Sequence, residues 1–214
     1  MAHQFPVFEA LNDEQDRAYN LLGKSHFTIL MGRAGTSKTF TAMAFAIDQL
    51  LAKRVDRLIL TRPAMTSCGE ELGFMPGDIR EKMAPFLHPL TDKIEEYAPG
   101  FKTEIKYDVV PLAYMRGRSF RNSIIIMDEA QNATESQLRM FCTRIGEGSR
   151  MIILGDPGQS DLRESPLASV ARDLARIKGI TSITFPNEMA ICRHPILPAV
   201  EELFEERRNR ERVS

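Results

Sequence analysis

The sequence predicts an α/β protein in which a doubly wound, mainly parallel sheet is flanked by helices. Short apolar runs alternate with segments of helical periodicity along the 214 residues, which is typical of chains built from βαβ units. Two of the apolar runs, 27–31 and 123–127, end directly at polar motifs. Because ligands of open parallel sheets bind at the carboxyl ends of the strands, these two motifs predict where the functional site lies.

The first motif follows the apolar run 27–31 and reads Gly32-Arg33-Ala34-Gly35-Thr36-Ser37-Lys38-Thr39. A glycine-rich turn between a strand and a helix presents backbone N–H groups and the positive end of the helix dipole to phosphates. Lys38 supplies a cation for the outer phosphates, and the Thr39 hydroxyl suits a Mg²⁺ ligand. Ser37 stands where the usual motif has glycine, which costs about 1–2 kcal/mol if its φ is positive. The alternative is an ordinary strand-to-helix turn with an incidental lysine.

Composition limits the functional classes. The formal net charge is −1, and 27% of the residues are charged, so no global excess of charge predicts a nucleic-acid or membrane partner. A site for a polyanion is therefore expected to be a local patch. The three cysteines lack metal or redox spacing and predict reduced thiols in a cytoplasmic protein. No run approaches membrane-spanning length, and the first residues lack the apolar core of a signal peptide.

The first half of the chain predicts one βαβ unit after an initial helix. Residues 8–22 form a helix capped near Asn12 that carries Gln15. A glutamine amide offers a donor and an acceptor to an adenine edge, although without the phosphate loop a solvated helix glutamine would be the simpler interpretation. A strand at 56–63 follows the helix that begins at Lys38, and residues 64–77 are expected to form an irregular loop at its carboxyl end.

The middle of the chain carries a basic turn. Residues 78–97 have a helical pattern with interruptions expected at its two prolines, and a short strand is predicted near residues 109–110. Two arginines, Arg116 and Arg118, lie close to Arg121 in the sequence. They either bind a backbone phosphate or form a solvated turn. Tyr114 and Phe120 are single candidates for stacking on a base.

The second polar motif, Asp128-Glu129-Ala130-Gln131, ends the apolar run 123–127. Two acids there would be costly in a structural core, yet they fit beside a metal-bound nucleotide. Asp128 is predicted in the Mg²⁺ shell, and Glu129 is predicted to orient and deprotonate the attacking water. Gln131 is a candidate sensor of the terminal phosphate, and Gln159, after the apolar run 151–154, is another.

The remaining pattern predicts a helix at 134–145, strands at 151–154 and 180–185, a helix at 165–178 and a final helix at 198–210. The Glu/Arg mixture of the final helix indicates a solvated face with i,i+4 pairs. No repeat or Gly/Ser linker interrupts the alternation. We therefore expect a single domain over residues 1–214, with a core at about 8–196 and a charged C-terminal helix at about 198–212.

Seven segments, in this order, resemble the PhoH-like P-loop ATPases, relatives of the RecA-like core of superfamily 1 helicases: GRAGTSKT (32–39), LTRPA (60–64), ELGFMPGDIREKM (71–83), PLAYMRGRSF (111–120), IIIMDEAQNAT (124–134), TRIGEGSRMIILGDPGQSDL (143–162) and CRHP (192–195). The resemblance implies a RecA-like sheet, Mg²⁺-dependent ATP binding and hydrolysis, self-assembly into rings and a role in RNA metabolism. Some family members carry a PIN-type nuclease or a KH-type RNA-binding domain. The chain is expected to be too short for either beside the ATPase.

The favoured function is an ATPase motor that acts on single-stranded nucleic acid, with RNA preferred to DNA. The alternative is a non-catalytic or slow ATP-gated interaction module, which would keep Lys38 and Asp128. A small-molecule kinase would need an acceptor pocket that the sequence does not identify. For the nucleic acid, the nominated contacts are Arg62, Arg116 and Arg118, which are inferred to lie at the carboxyl edge of the sheet.

The resemblance further implies a homo-oligomer. It is expected to be a ring, and specifically a hexamer. Superfamily 1 helicases place ATP between two RecA-like domains, and this chain has room for one, so a neighbour should supply a charge-stabilising arginine. Arg144, at the end of the helix 134–145, is the preferred donor, and Arg193 is the alternative, acting within the same subunit. Arg144 is equally well interpreted as a residue that compensates the helix dipole.

Overall fold

The computed structural model of the chain describes residues 5–63, 79–162, 164–186, 196, 199–200, 202–204, 206–207 and 210, with backbone alone for 79–87. Six strands are described: β1 Phe27–Met31, β2 Arg57–Thr61, β3 Tyr107–Val109, β4 Ser123–Met127, β5 Arg150–Gly155 and β6 Ile180–Thr184. They form one sheet in the order β3-β2-β4-β5-β1-β6, and every neighbouring pair is parallel.

The α-helices that precede or connect the described strands are α1 Asp13–Lys24, which lies before β1, and α2 Lys38–Leu51, α3 Ile79–Tyr97, α4 Glu135–Cys142 and α5 Leu167–Leu174, which lie between strands. Short 3-10 helices lie at Leu112–Met115, Ala130–Asn132 and Pro157–Gln159. The Asn12 side chain accepts from the Gln15 backbone N–H at 2.9 Å, which confirms the predicted N-cap of α1. Thr134 and Gln137 form a capping box at the start of α4.

The two faces of the sheet have separate hydrophobic cores because successive strand residues point to opposite sides. In β2, Leu58 and Leu60 pack with buried residues of α1, α2 and α3. Ile59, between them, packs on the other face with residues of α4 and α5. Both faces of the sheet are therefore covered by helices, which confirms the predicted doubly wound arrangement.

Several predicted boundaries differ from the structure. The expected interruptions of the 78–97 helix are wrong, since α3 runs from Ile79 to Tyr97 through both Pro85 and Pro89. A proline removes one helix hydrogen bond, but burial of Leu90 and Ile94 in the core offsets that loss. The helix predicted at 134–145 ends earlier, at Cys142, because the chain turns at Thr143 toward β5.

Other predictions fall partly or wholly outside the described residues. The irregular loop expected at 64–77 is one of these. Those residues of 199–210 that are described are all helical, as expected for the final helix. Among the helices that the structure describes, none is both long enough and apolar enough to cross a membrane.

Candidate active site

The strand order brings the two polar motifs to one place. β4 and β1 both neighbour β5, so the carboxyl ends of these three strands meet at one edge of the sheet. A cleft of about 410 Å³ lies there, within the size range of small-molecule sites. Its lining comprises Ala34, Gly35, Ser37, Lys38 and Thr39 from the first motif, Asp128, Glu129, Gly155, Asp156 and Gln159 from the ends of β4 and β5, and Glu9, Leu11, Phe40, Lys93 and Glu96.

The backbone of the first motif has the shape of a phosphate-binding loop. Gly32 has φ +151°, and a Cβ there would lie 2.9 Å from Cβ of Phe185, so only glycine fits. Gly35 has φ +83°. Ser37 has φ +60° and ψ +20° and gives no side-chain cap to α2. The strain anticipated for a serine at this position is therefore present, at about 1–2 kcal/mol.

Lys38 lies inside the loop and is only 9% exposed. Its Nζ donates to the backbone oxygens of Gly32 at 2.6 Å and of Arg33 at 2.7 Å. Gly32, Arg33 and Thr36 shape the loop behind the cleft surface, whereas Lys38 and its successor Thr39 line the cleft itself. A flexible cation held by loop carbonyls can exchange them for phosphate oxygens.

Asp128 follows β4 directly and carries a buried carboxyl group. Its backbone N–H donates to the Thr61 oxygen of β2 at 3.0 Å, which fixes the chain at this point. Burial, and secondarily the charge of Glu129, raises the pKa of Asp128 to about 6, against the opposing effects of Arg62 and Lys38. A carboxylate that is destabilised by burial suits a site where a cation compensates its charge.

Glu129 is held between two other side chains. Its Oε1 lies 2.9 Å from Nη2 of Arg62, the residue that follows β2. Its Oε2 accepts from Nε2 of Gln131 at 2.5 Å. The backbone of Glu129 has φ +53°, a left-handed conformation that is rare for residues other than glycine and concentrates at functional sites. Two partners and a strained backbone therefore set the direction of this carboxylate.

Gln131 connects the two acidic strand ends. It is 1% exposed, and its Oε1 accepts from the Asp156 backbone N–H at 3.0 Å. Direct contact with a terminal phosphate stays a prediction for Gln131, because its observed bonds are to Glu129 and to the backbone after β5. Gln159 does line the cleft, in the 3-10 helix that Asp156 caps.

Gln15 is fully buried, so the alternative of a solvated helix glutamine is wrong. Its Oε1 accepts from the Leu11 backbone N–H at 2.7 Å, and Leu11 lines the cleft. Its Nε2 has no hydrogen-bond partner in the described part of the chain. A buried amide donor without a partner is unusual, and it is compatible with the predicted contact to an adenine edge.

The sequence did not identify the contribution of α3 to the cleft. Lys93 and Glu96 of α3 form an ion pair at its wall, and Lys93 Nζ lies 6.0 Å from the ring centroid of Phe40. The helix is brought there by packing on α2, where Tyr97 donates to Asp48 at 2.9 Å. Of the residues at this wall, only Phe40 could be connected with the cleft from the sequence, because it follows Thr39 directly.

The three nominated nucleic-acid contacts do not form one patch. Arg62 lies at the carboxyl edge, paired with Glu129. Arg118 lies at the opposite edge, where the strands begin. Its neighbour Phe120, which precedes β4, donates its backbone N–H to the oxygen of Arg144, which precedes β5. The expectation of a shared carboxyl edge is therefore wrong. The chain that carries Arg116 and Arg118 runs back across the sheet after Leu112–Met115 in order to begin β4.

The two candidates for stacking on a base differ in the exposure of their rings. The Arg118 guanidinium lies 4.9 Å from the ring centroid of Phe120, which is itself buried. Phe120 therefore presents no free face, whereas Tyr114 is 56% exposed.

Arg144 makes local contacts just after α4. Its Nε donates to the Met140 oxygen at 3.1 Å, and its Nη1 donates to the Arg118 oxygen at 3.2 Å. The bond to Met140 satisfies a carbonyl group in the last turn of α4, as the dipole interpretation expects. A role in a neighbouring subunit stays a prediction. Arg193 lies outside the described residues.

The residues that line the cleft fit a Mg²⁺ ion of the kind predicted. Within the part of the chain that the structure describes, no three His, Cys, Asp or Glu side chains cluster to form a metal site. Mg²⁺ typically uses one or two protein oxygens and keeps phosphate and water ligands. The Thr39 hydroxyl and the buried Asp128 carboxylate supply such oxygens.

Cys142 is a free thiol whose pKa burial raises to about 12, as expected for an inert reduced cysteine.

Comparison with known proteins identifies the family of this chain. The PhoH-like protein family matches residues 7–205. A PhoH-like protein of Synechocystis is 40% identical over 211 residues, covering 95% of this chain and 64% of the relative. A PhoH-like protein of Bacillus subtilis is 40% identical over 182 residues, covering 82% of this chain and 57% of the relative. The chain thus spans about three-fifths of the length of these two relatives.

A solved structure supports the fold. The large terminase from a thermophilic bacteriophage superposes with a TM-score of 0.59 at 10% identity, over 92% of this chain and 50% of the terminase. At that identity the likeness concerns the fold, which is the RecA-like P-loop arrangement that the sequence predicted. With the match over residues 7–205 and the two relatives at 40% identity, the chain belongs to the PhoH-like protein family.

Proposed function

We propose that this chain is a Mg²⁺-dependent ATPase that couples ATP hydrolysis to binding or remodelling of single-stranded nucleic acid, RNA in preference to DNA. The observation that carries the ATPase proposal is one cleft lined by both Lys38 of a phosphate loop and the acid pair Asp128 and Glu129. A site for passive nucleotide binding has no need of a second carboxylate beside the first. That pairing supports hydrolysis.

Binding would begin at the loop. Backbone N–H groups around Gly35 and the N-terminus of α2 attract the phosphates. Lys38 exchanges the Gly32 and Arg33 oxygens for phosphate oxygens, and Gln15 offers its buried Nε2 to the base. Thr39 and Asp128 would hold Mg²⁺, which neutralises charge on the phosphate oxygens when bound.

Hydrolysis would then depend on Glu129 as the general base. Its carboxylate takes a proton from a water molecule while the water oxygen bonds to the γ-phosphorus. The bond between that phosphorus and the β–γ bridging oxygen breaks, and ADP leaves with the electron pair. Gln159, at the cleft wall, is placed to orient the water or the γ-phosphate.

A steady-state phosphate-release assay tests the ATPase proposal. We expect turnover that requires Mg²⁺, is absent in Lys38→Ala and increases with single-stranded RNA. Tight ATP binding without phosphate release, with or without RNA, would contradict the proposal.

A slow ATP-gated interaction module is the second candidate. The observation in its favour is that both carboxylate oxygens of Glu129 are already bonded, to Arg62 and Gln131. ATP binding would then act by changing conformation, with hydrolysis only as a slow reset. The same assay separates the two candidates, because a module would bind ATP tightly and release phosphate slowly whether or not RNA is present.

The proposed nucleic-acid contact is the basic turn at the amino edge of the sheet. Arg116, Arg118 and Arg121 are exposed, and no ion pair to them occurs among the described residues. In a chain of net charge −1, such a focused cluster suits phosphates more than it suits bases.

The double variant Arg116→Ala/Arg118→Ala should bind single-stranded RNA more weakly and leave basal hydrolysis intact. Because this variant lacks two cations that would each neutralise a phosphate, the slope of log affinity against log salt should become shallower by about 1.4. An unchanged affinity and slope would place the strand elsewhere.

We further propose that the protein assembles into a ring-shaped homo-oligomer, a hexamer by expectation. In support, the described residues that line the cleft include Lys38 and Lys93 but no arginine. A charge-stabilising arginine would therefore come from outside this wall, with Arg144 of a neighbour as the candidate. To reach it, Arg144 must leave its bonds to Met140 and Arg118.

Mixing inactive Arg144→Ala and Lys38→Ala subunits tests this assembly. Recovery of activity is expected, because a mixed interface can join an intact cleft to an intact arginine. A fully active monomer in light scattering would refute it.

A further inference from the structure

Arg62 and Glu129 meet because they follow neighbouring strands. Thr61, the last residue of β2, is in register with Met127, the last residue of β4. The Asp128 N–H donates to the Thr61 oxygen at 3.0 Å, so the two chain ends leave the sheet together. The pairing and register of β2 and β4 therefore bring Arg62 and Glu129 together in an ion pair of 2.9 Å.

The ion pair is more enclosed on the arginine side. The Arg62 side chain is 17% exposed and that of Glu129 is 36% exposed. Glu129 lines the cleft, whereas Arg62 lies beside it and does not contribute to the described lining. Arg62 therefore lies where it can act on the reaction through the carboxylate that it holds.

The contacts of Glu129 are those of a restrained group. One oxygen is bonded to a guanidinium and the other to the Gln131 amide. A charge-assisted bond of this kind is roughly twice as strong as a neutral one. A water molecule that is to be deprotonated must compete with these partners for the carboxylate lone pairs. The left-handed backbone of Glu129 limits its ability to turn away from them.

We propose that Arg62 is a positioning residue that restrains the proposed general base Glu129 and thereby keeps basal ATP hydrolysis slow. This inference rests on the proposed ATPase function. It assigns to Arg62 an effect on the rate of the chemical step, with no contribution to ATP binding.

The test compares three single variants by steady-state phosphate release, ATP-binding titration and thermal unfolding. Arg62→Gln removes the charge and should raise kcat about fivefold with KM within about twofold of wild type, a gain of about 1 kcal/mol. Arg62→Lys keeps the charge and should stay near the wild-type rate. Arg57→Gln, which breaks an exposed pair with Asp108 at the start of the same strand, is the matched control and should match wild type.

A double variant separates positioning from a general structural effect. In a Glu129→Gln background, Arg62→Gln should bring no gain, because its effect acts through the carboxylate. If Arg62→Gln lowers kcat, leaves it unchanged or raises it equally in the Glu129→Gln background, the restraint is refuted. If Arg62→Gln does not fold, a rate for Arg62→Lys below that of wild type refutes the restraint, and a rate equal to or modestly above it supports the restraint.

The outcomes also separate this inference from the proposed function. Glu129-dependent turnover in wild type without a gain in Arg62→Gln overturns the restraint alone. Turnover that appears only in Arg62→Gln supports both. If neither protein hydrolyses ATP, the restraint and the ATPase proposal fail together.

Discussion

Replacing Asp128 by asparagine is expected to stabilise the free protein at neutral pH. Burial raises the pKa of Asp128 from 3.8 to about 6, so the folded state binds this proton more tightly than the unfolded state. Stability therefore falls as the pH rises from about 4 to about 6, and it stays reduced above that window. Asparagine is neutral at every pH and keeps an oxygen for the Glu129 backbone N–H.

The pKa shift sets the size of the effect. A difference of about 2.2 pKa units, at 1.36 kcal/mol for each, corresponds to an upper value of about 3 kcal/mol at pH 8. For a domain of this length that gain raises Tm by about 6–12 °C. A loss of stability at a carboxylate that is proposed to hold Mg²⁺ is the expected trade between activity and folding.

Urea unfolding without nucleotide, in EDTA, measures this prediction. Asp128→Asn should exceed wild type at pH 8, and the difference should shrink as the pH is lowered toward 4.5. Asp173→Asn, at an exposed helix position, is the control and should change little. A gain for Asp128→Asn that is absent at pH 8, or equal at both pH values, would refute the argument from burial.

Three further changes test the backbone. Ser37→Gly should stabilise the protein by about 1 kcal/mol in urea unfolding by relieving the φ of +60°, whereas Ser37→Ala should not. Gly155→Ala should destabilise it by about 1–3 kcal/mol, because the new Cβ would lie 2.4 Å from Cδ2 of Leu167. Gly23→Ala, in α1 with its nearest contact at 3.8 Å, should instead raise stability by up to about 1 kcal/mol. Equal effects of both glycine replacements would contradict the packing argument.

Local patterns were sufficient to predict the sheet and the glycine-rich turn between β1 and α2. An apolar run such as 123–127 specifies a strand buried on both faces, and the following acids mark its carboxyl end. The backbone strain at Ser37 could be predicted from the sequence because it involves only one residue type and one backbone conformation. Predictions of this kind need only neighbours in sequence.

Contacts between distant segments could not be predicted in the same way. Arg62 and Glu129 are 67 positions apart, and their pairing depends on β2 lying next to β4 and on their register. Lys93 reaches the cleft only because α3 packs on α2. The sequence pattern predicts the wrong edge for Arg118 because it does not specify the path of the chain between β3 and β4. Sequence predicted many of the polar residues that line the cleft, and tertiary packing determined which charges meet.

The most direct test of the proposed mechanism is turnover in Glu129→Gln, measured beside ATP affinity in the same preparation. We expect ATP binding within about threefold of wild type and a loss of at least about a hundredfold in kcat, because the phosphate loop remains and the base is gone. Glu147→Gln, at an exposed position ahead of β5, is the control and should keep full activity. Wild-type turnover in Glu129→Gln would contradict the assignment of the base and, with it, the proposed mechanism.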